Sequence, residues 1–526
     1  MIKKRKIQSG QVLLWVLGFI TTISIILTST FSVITLTLSE SISVNKNQLA
    51  LNIADAGVNY YLWHLSHSSA DFKDGNTSAT PNTSGEFTGF YGPFVHQYKD
   101  DNSKNVGTYT LYIKPKSEGS SVAIVRSIGK TNDEKIQRTI EAEIGAPSFA
   151  SFSLAGDVAL WFGNNESANG PVHSNVGVRM DGQNTDDVTS ANATYVPPSN
   201  LGGNGSTSRP GVWCSTTVTT PVNCNTRPKG LWRYPVPSID FNAITSDLCT
   251  IKKNALLVNS TNSAIANGAN ACTNTSGVRT SSYIPRYATA FNARRGYLIE
   301  LNSNNTYNLS SVTNETYNYS NSNNYTSSYT AALSRTSIAS NIAIPSNGVI
   351  FVEDNVWVRS NPTFKGRVTI ASGRLASSSE QTSIVIADDI KYSTKDGSDA
   401  LGMIAEQDVV IAPYAPPKPN DSESAYPFEI NGALIAKDGH VWFPPDYIGK
   451  DTPNWNGNSN KKLLYYGSIS TRQSWTWLWT SGSSYDDGFQ YNETNFDYNL
   501  LYAPPPSFPI TSTYDILKWR EILVTP

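Results

Sequence analysis

Charge is scarce in this chain. Asp, Glu, Lys and Arg make up only 16% of its 526 residues and nearly cancel, with 40 basic against 42 acidic. That balance excludes a general pull toward nucleic acid or acidic lipid, so no nucleic-acid partner is expected. Histidine is also rare, at five residues, and no third ligand stands near the His64/His67 pair, so no metal site is expected. A Gly-x-Ser-x-Gly elbow, a phosphate loop and a CxxC pair are all missing, which leaves neither an enzyme signal nor a cofactor signature. Cysteine is limited to Cys214, Cys224, Cys249 and Cys272, spaced unlike a zinc site. An even number in one stretch points to two disulfides, with buried free thiols as the alternative. Sequence neighbours would join Cys214 to Cys224 and Cys249 to Cys272, although three pairings are open. Asn, Ser, Thr, Gly and Tyr make up for the missing charge, as suits an exported β-rich surface.

The longest gap in charge is also the strongest signal. After the basic cluster Lys3, Lys4, Arg5 and Lys6, no charged residue occurs from Gln11 to Ser39, a run that includes Val12, Leu13, Leu14, Trp15 and Leu38. A helix rises about 1.5 Å per residue and a bilayer core is about 30 Å thick, so the run spans with length to spare. The basic cluster stays cytoplasmic by the positive-inside rule, giving a single-pass protein that sends everything after Glu40 outward. A cleaved secretory signal has a shorter apolar core and ends at a small-residue site, whereas an ordinary signal anchor fits the run equally well. Beyond Ser39 the helical pattern continues to about Ser66, with apolar residues at Leu49, Ile53, Ala56 and Tyr60 and at Ala50, Ala54, Tyr61 and Leu65. One helix of some 55 residues is therefore expected, apolar in its first half and amphipathic in its second.

Two segments of this helix carry a family resemblance. Ser9-Gly10-Gln11-Val12-Leu13-Leu14, after a basic leader, resembles the class III site cut by prepilin peptidase, with Gly10 as the last leader residue. Leu49-Ala50-Leu51-Asn52-Ile53-Ala54-Asp55-Ala56-Gly57-Val58-Asn59-Tyr60 is similar to the A-x-x-A-E/D-A-G segment of PilX-type minor pilins of type IV pili. The resemblance implies cleavage between Gly10 and Gln11, a helix that bundles with other pilin subunits, and an inner-membrane stage. Major pilins carry Glu at the fifth mature position, where its carboxylate offsets a neighbour's N-terminal ammonium in an apolar bundle. Trp15 stands there in this chain, and the Glu is also missing in the related pseudopilin tip subunits, which implies a place at or near a filament tip.

The rest reads as β. Alternation at Tyr109-Leu111-Ile113, Val122-Ile124-Val125 and Thr139–Ile144 predicts a small sheet within 67–147, packed on the second half of the helix. From 148 to 526 short apolar runs recur, starting near 349, 368, 383, 401, 431 and 463. Intervals of that size fit the coils of a parallel β-solenoid with loop insertions, with a β-sandwich as the alternative. The stretch of about 185–345 is irregular, and 302–330 is dominated by Asn, Ser, Thr and Tyr. Further similarity to exported domains on PilX-like N-termini lies in Gly170–Asn175, Asn431–Ala436, Tyr466–Ile469 and the ending Phe496–Pro509 followed by Trp519 and Glu521. The expected fold is thus α+β: a leader over 1–10, a transmembrane or filament helix over 11–66, a small pilin-like sheet over 67–147, and an exported β-solenoid over 148–526.

Two residue groups invite a chemical reading. The carboxylate pairs Glu353/Asp354, Asp388/Asp389, Glu406/Asp408 and Asp486/Asp487 would serve a membrane-tethered glycan-acting enzyme if they converged. Adjacent residues on a strand point to opposite faces, however, so Asp388/Asp389 is read first as one turn residue beside one solvated one. Trp475, Trp477 and Trp479 alternate and would share one strand face, with Tyr485 close behind. That face would either cap the end of the solenoid or grip a host or surface glycan or protein. Together these features imply a non-enzymatic minor pilin-like subunit for filament assembly and surface attachment.

Overall fold

The computed structural model describes residues 9–68, 71–115, 122–132, 136–145, 148–163, 166–215, 231–258, 265, 269–315, 333–412, 415, 427–444, 462–481, 484–489, 491–511 and 514–522. The chain divides into two compact units: residues 1–115, 123–145 and 514–526 form the first, and 116–122 and 146–513 the second.

In the first unit one helix, α1, runs unbroken from Ser9 to His67. Four antiparallel strands follow, β1 (Tyr91–Lys99), β2 (Asn105–Pro115), β3 (Val122–Thr131) and β4 (Gln137–Gly145). The second half of α1 buries Ala50, Ile53, Ala54, Val58, Tyr61 and Leu65 completely. Those positions recur every three or four residues, so one stripe of the helix faces the sheet. From the sheet come Tyr109, Leu111, Ile113, Val125, Ile140 and Ile144, alternate residues of their strands and all buried. The stripe matches the expected helix, but Leu49, Ala56 and Tyr60 lie at its half-buried margins. Small residues let the two layers touch: a Cβ on Gly129 would sit 2.2 Å from the Ala50 carbonyl oxygen and 2.4 Å from the Ala54 nitrogen.

The strand Asp515–Ile522 completes this sheet by pairing antiparallel with β4, so the order is β1, β2, β3, β4 and then the C-terminal strand. Trp519 Nε1 donates to Asp55 Oδ1 at 3.1 Å, and Arg520 and Arg126 both pair with Glu141. The last strand therefore belongs with α1, whereas the sequence grouped it with 148–526. Half-exposed edge strands carry too weak an apolar alternation to announce their partner.

The second unit is mainly β and dominated by parallel pairing. One parallel ladder runs Tyr283–Ile284, Val349–Val352, Arg367–Ser372, Ala400–Ala405, Phe428–Ala436 and Lys462–Thr471. It continues onto Leu154–Gly156, Val172–Ser174, Val188–Ser190 and Trp232–Arg233. The unit's first strand thus lies against one of its last, and entry and exit are tied together where Phe149 N donates to the Pro509 carbonyl at 3.0 Å. A second sheet joins Gly296–Asn302, Asn355–Asn361, Ile384–Ile386, Val409–Ile411, Val441–Trp442 and Trp475–Thr476 in parallel. Two antiparallel strands, Thr306–Glu315 and Leu333–Ala343, extend its other edge. Within 185–345, the stretches 296–302, 306–315 and 333–343 are accordingly regular strands. They escaped the sequence because the outermost of them, Leu333–Ala343, is mostly exposed and polar.

Both faces of the first ladder are covered. Ile350, Val352, Leu401, Met403 and Leu434 face one core; Val349, Phe351, Ile404, Ala433 and Ile435 face another, shared with the helix α2 (Ala243–Leu257) and with Phe149, Phe241 and Phe508. Burial on both faces is why these strands read as continuous apolar runs. Backbone crowding fixes one register: Gly432 and Gly467 are partners, with φ +154° and +153°, and a Cβ on Gly467 would lie 1.8 Å from the Gly432 carbonyl.

Within α2, Asp247 has a buried carboxylate oxygen without a hydrogen-bond partner among the described residues, and desolvation pushes its pKa from 3.8 up to about 6. The folded state therefore holds its proton more tightly than the unfolded one. Charging it costs stability as pH rises from about 4 to 6, and the cost persists above that window. Asp247→Asn is expected to raise stability at pH 7 by about 1 kcal/mol, allowing for its partial exposure, and to change nothing at pH 3.5. Thermal unfolding of both proteins across that pH range checks it.

Candidate assembly interface

The first half of α1 presents side chains that the rest of the molecule leaves uncovered. Val12, Leu13 and Leu14 are exposed, Trp15 is 75% exposed, and Leu38 is exposed as well. The helix is long and apolar enough to cross a membrane. Its hydroxyls do not contradict that, because all six threonines of the run turn back onto their own helix. Thr22 Oγ1 donates to the Gly18 carbonyl at 2.7 Å, Thr28 to Ser24 at 2.7 Å and Thr37 to Val33 at 2.7 Å; Thr21, Thr30 and Thr35 make equivalent bonds. A hydroxyl bonded this way is no longer a lone polar group and enters an apolar environment at much lower cost. Gly10 and Gln11 fall in the first turn of this helix.

The aromatic patch expected at Trp475, Trp477 and Trp479 does not form one strand face. The strand containing Trp475 ends at Thr476, and the next begins at Leu478 in a separate antiparallel pair. Trp477 sits between them, 3% exposed, in the core. Trp475 packs on Trp477 and on Phe162 with ring centres 6.1 and 5.7 Å apart, and Trp479 Nε1 donates to the Phe443 carbonyl at 2.9 Å. Trp477 thus belongs to the apolar core and Trp475 packs against it. The side chain of Tyr485 lies outside the described residues.

The carboxylate pairs are drawn into folding contacts. Glu353, fully buried, pairs with the fully buried Lys252 of α2 and accepts from Tyr283 Oη at 2.8 Å. Asp354 pairs with Arg374 at 3.0 Å, and Glu406 accepts from Arg374 N at 2.8 Å. Burial pushes both Asp354 and Glu406 above the usual carboxylate range, against the pull of these partners. Asp408 accepts from His440 N at 2.7 Å, and Asp389 pairs with Lys391 at 2.6 Å, while Asp388 is exposed. The side chains of Asp486 and Asp487 lie outside the described residues. His64 meets Asp71 at 3.0 Å, and His67 Nδ1 donates to the Trp63 carbonyl at 2.8 Å. Among the described residues, no group of three or more His, Cys, Asp and Glu is placed to hold a metal.

Cys249 and Cys272 form a disulfide that ties α2 to the segment after it. Cys214 is also disulfide-bonded, and Cys224 lies outside the described residues.

These features define an α+β protein with a long N-terminal helix, an antiparallel sheet packed on its second half, and a large mainly β unit. Among solved structures it is similar to the competence-associated pilin ComZ from Thermus thermophilus, at 11% identity and a TM-score of 0.28 over 91% of this chain and 98% of that one. A likeness at that level carries no argument about function. No family model and no curated protein matches the sequence.

Proposed function

We propose that this chain is a non-enzymatic, PilX-like minor pilin of a type IV pilus, acting at or near the filament tip in assembly and surface attachment. The carrying observation is α1 itself: one unbroken helix whose uncharged first half is uncovered while its second half is buried on a sheet. An exposed apolar face of that length requires lipid or other helices around it. Lipid suits the inner-membrane stage, and neighbouring pilin subunits suit the filament. Trp15 supports the tip position, since a subunit without the pairing carboxylate has nothing to offer an ammonium above it. The second unit is read as a parallel β-solenoid, supported by its successive parallel ladders, and as the part that meets a surface glycan or protein. Engagement of Glu353, Asp354, Glu406 and Asp408 in folding contacts favours attachment over glycan hydrolysis.

Mass spectrometry of the N-terminus of the mature protein tests this reading. A chain that begins at Gln11, and a Gly10→Arg variant that keeps its leader, are the expected results of prepilin peptidase processing. A mature wild-type chain that retains Met1–Gly10, or begins beyond Ser39, would falsify the pilin assignment.

A further inference from the structure

One cluster of the second unit has no role in the contacts described so far. Three short parallel strands, Leu160–Phe162, Val178–Met180 and Val212–Trp213, place Trp161, Arg179 and Trp213 side by side in register. Leu160, Phe162, Val178, Met180 and Val212 point the other way into the core, so these three share the opposite face. The Arg179 guanidinium lies 4.7 Å from the Trp161 ring centre and 5.2 Å from that of Trp213. Arg209 covers Trp213 in turn at 5.0 Å. The result is an alternating ladder of indoles and guanidinium groups.

The ladder is rigidly held. Asp181, 1% exposed at its side chain, pairs with Arg179 at 2.7 Å and accepts from Trp161 Nε1 at 3.0 Å, which locks the indole edge-on. Trp213 Nε1 donates to Tyr195 Oη at 2.9 Å, and Arg179 also donates to the Gly202 carbonyl. Yet Trp161 keeps 38% of its surface exposed. Arg179 lies over one of its faces. Asp181 neutralises Arg179, whereas the exposed Arg209 has no acidic partner among the described residues. A fixed, partly exposed indole and an exposed guanidinium stacked on Trp213 suit an extended ligand that has apolar ring faces and negative charge.

We propose that this face binds an acidic polysaccharide, one sugar ring stacking on Trp161 while a carboxylate further along the chain pairs with Arg209. The inference deepens the attachment reading and rests on it for its biological setting. The physics favours a charged chain over a neutral one because a guanidinium–carboxylate contact is charge-assisted and directional.

The test is titration of the full-length protein in detergent with polygalacturonate and with dextran, following indole fluorescence and retention on the immobilised polymer. Polygalacturonate should bind, dextran should bind at least about tenfold more weakly, and added salt should weaken the former. Trp161→Ala and Arg209→Gln should each lose about tenfold or more in affinity, Arg209→Lys should keep part of it, and Trp63→Ala on α1 should lose none. Arg209 is exposed, so its variant should also unfold at the wild-type temperature and separate lost binding from lost folding. Absence of binding by the wild type, equal binding of dextran, or wild-type affinity in both Trp161→Ala and Arg209→Gln would each overturn the proposal. A mature N-terminus at Gln11 would stand through any of these, so failure of the glycan site and failure of the pilin assignment are told apart.

Discussion

Lys252→Met should cost the second unit about 3–5 kcal/mol, one of the largest single-site losses expected in this protein. Lys252 and Glu353 are both fully buried and in contact. The ammonium also donates to the Asn274 carbonyl at 2.6 Å, and so joins α2, the segment just beyond the Cys249–Cys272 disulfide, and the strand Val349–Val352 that ends beside Glu353. Methionine fills the same space but leaves a carboxylate in the interior with Tyr283 as its remaining close donor, since the nearest guanidinium nitrogen of Arg286 is 3.9 Å away. The loss then arises from desolvation of the stranded partner rather than from the pair's own attraction. That distinction is measurable. Adding Glu353→Leu to Lys252→Met should restore much of the stability, because the stranded carboxylate is gone and only the partly exposed Arg286 loses a distant, 3.9 Å partner. Denaturant titrations of the two single variants and the double variant form the cycle. Equal losses in the single and double variants would show that the pair itself, and not the stranded charge, supplies the stability.

The helix was the easiest feature to read because its signal is local. Absence of charge over Gln11–Ser39 and three-to-four spacing over Leu49–Leu65 need no partner to be recognised. Strand positions in the second unit were legible for a related reason. Runs expected near 349, 368, 383, 401, 431 and 463 correspond to strands beginning at Val349, Arg367, Ile384, Ala400, Phe428 and Lys462. Burial on both faces makes each a compact apolar word. What the words do not carry is their stacking order. Leu154–Gly156 lies against Lys462–Thr471, some 300 residues later, because two sheet edges meet there and nothing in either strand names the other. The C-terminal strand escaped for the same reason: its partner β4 lies more than 350 residues earlier, and its own surface is largely exposed.

The aromatic sites show where periodicity misleads. Alternation at Trp475, Trp477 and Trp479 implies one face only while the strand continues, and here it breaks after Thr476. Trp161, Arg179 and Trp213 gave no sequence signal at all. They are separated by 18 and 34 residues and become neighbours only through the lateral register of three strands, each two or three residues long. Lateral neighbours across a parallel stack are invisible to any reading that moves along the chain.

Gly129→Ala should unseat α1 from its sheet. The added carbon would meet backbone on every side that matters: the Ala50 carbonyl oxygen at 2.2 Å, the Ala54 nitrogen at 2.4 Å and the Ala54 Cα at 3.0 Å. A clash with the end of a flexible side chain is relieved by a rotation, but here the helix axis itself must move. Moving it opens the layer that buries Ala50, Ile53, Ala54, Val58 and Tyr61. The cost should therefore fall at or above the upper end of the usual overpacking range, about 3 kcal/mol, for the addition of a single methyl group. Hydrogen exchange at Leu111, Ile113 and Val125 reports it directly, since those amides lie in the strands beneath the helix. Gly18→Ala supplies the contrast. That glycine lies in the uncovered half of α1, with nothing within 4 Å of the position its Cβ would take, so exchange in the sheet should be unchanged. If alanine is equally harmless at both positions, the close contact between helix and sheet is not what seats α1; if Gly18→Ala loosens the sheet, the two halves of the rod are not energetically separate.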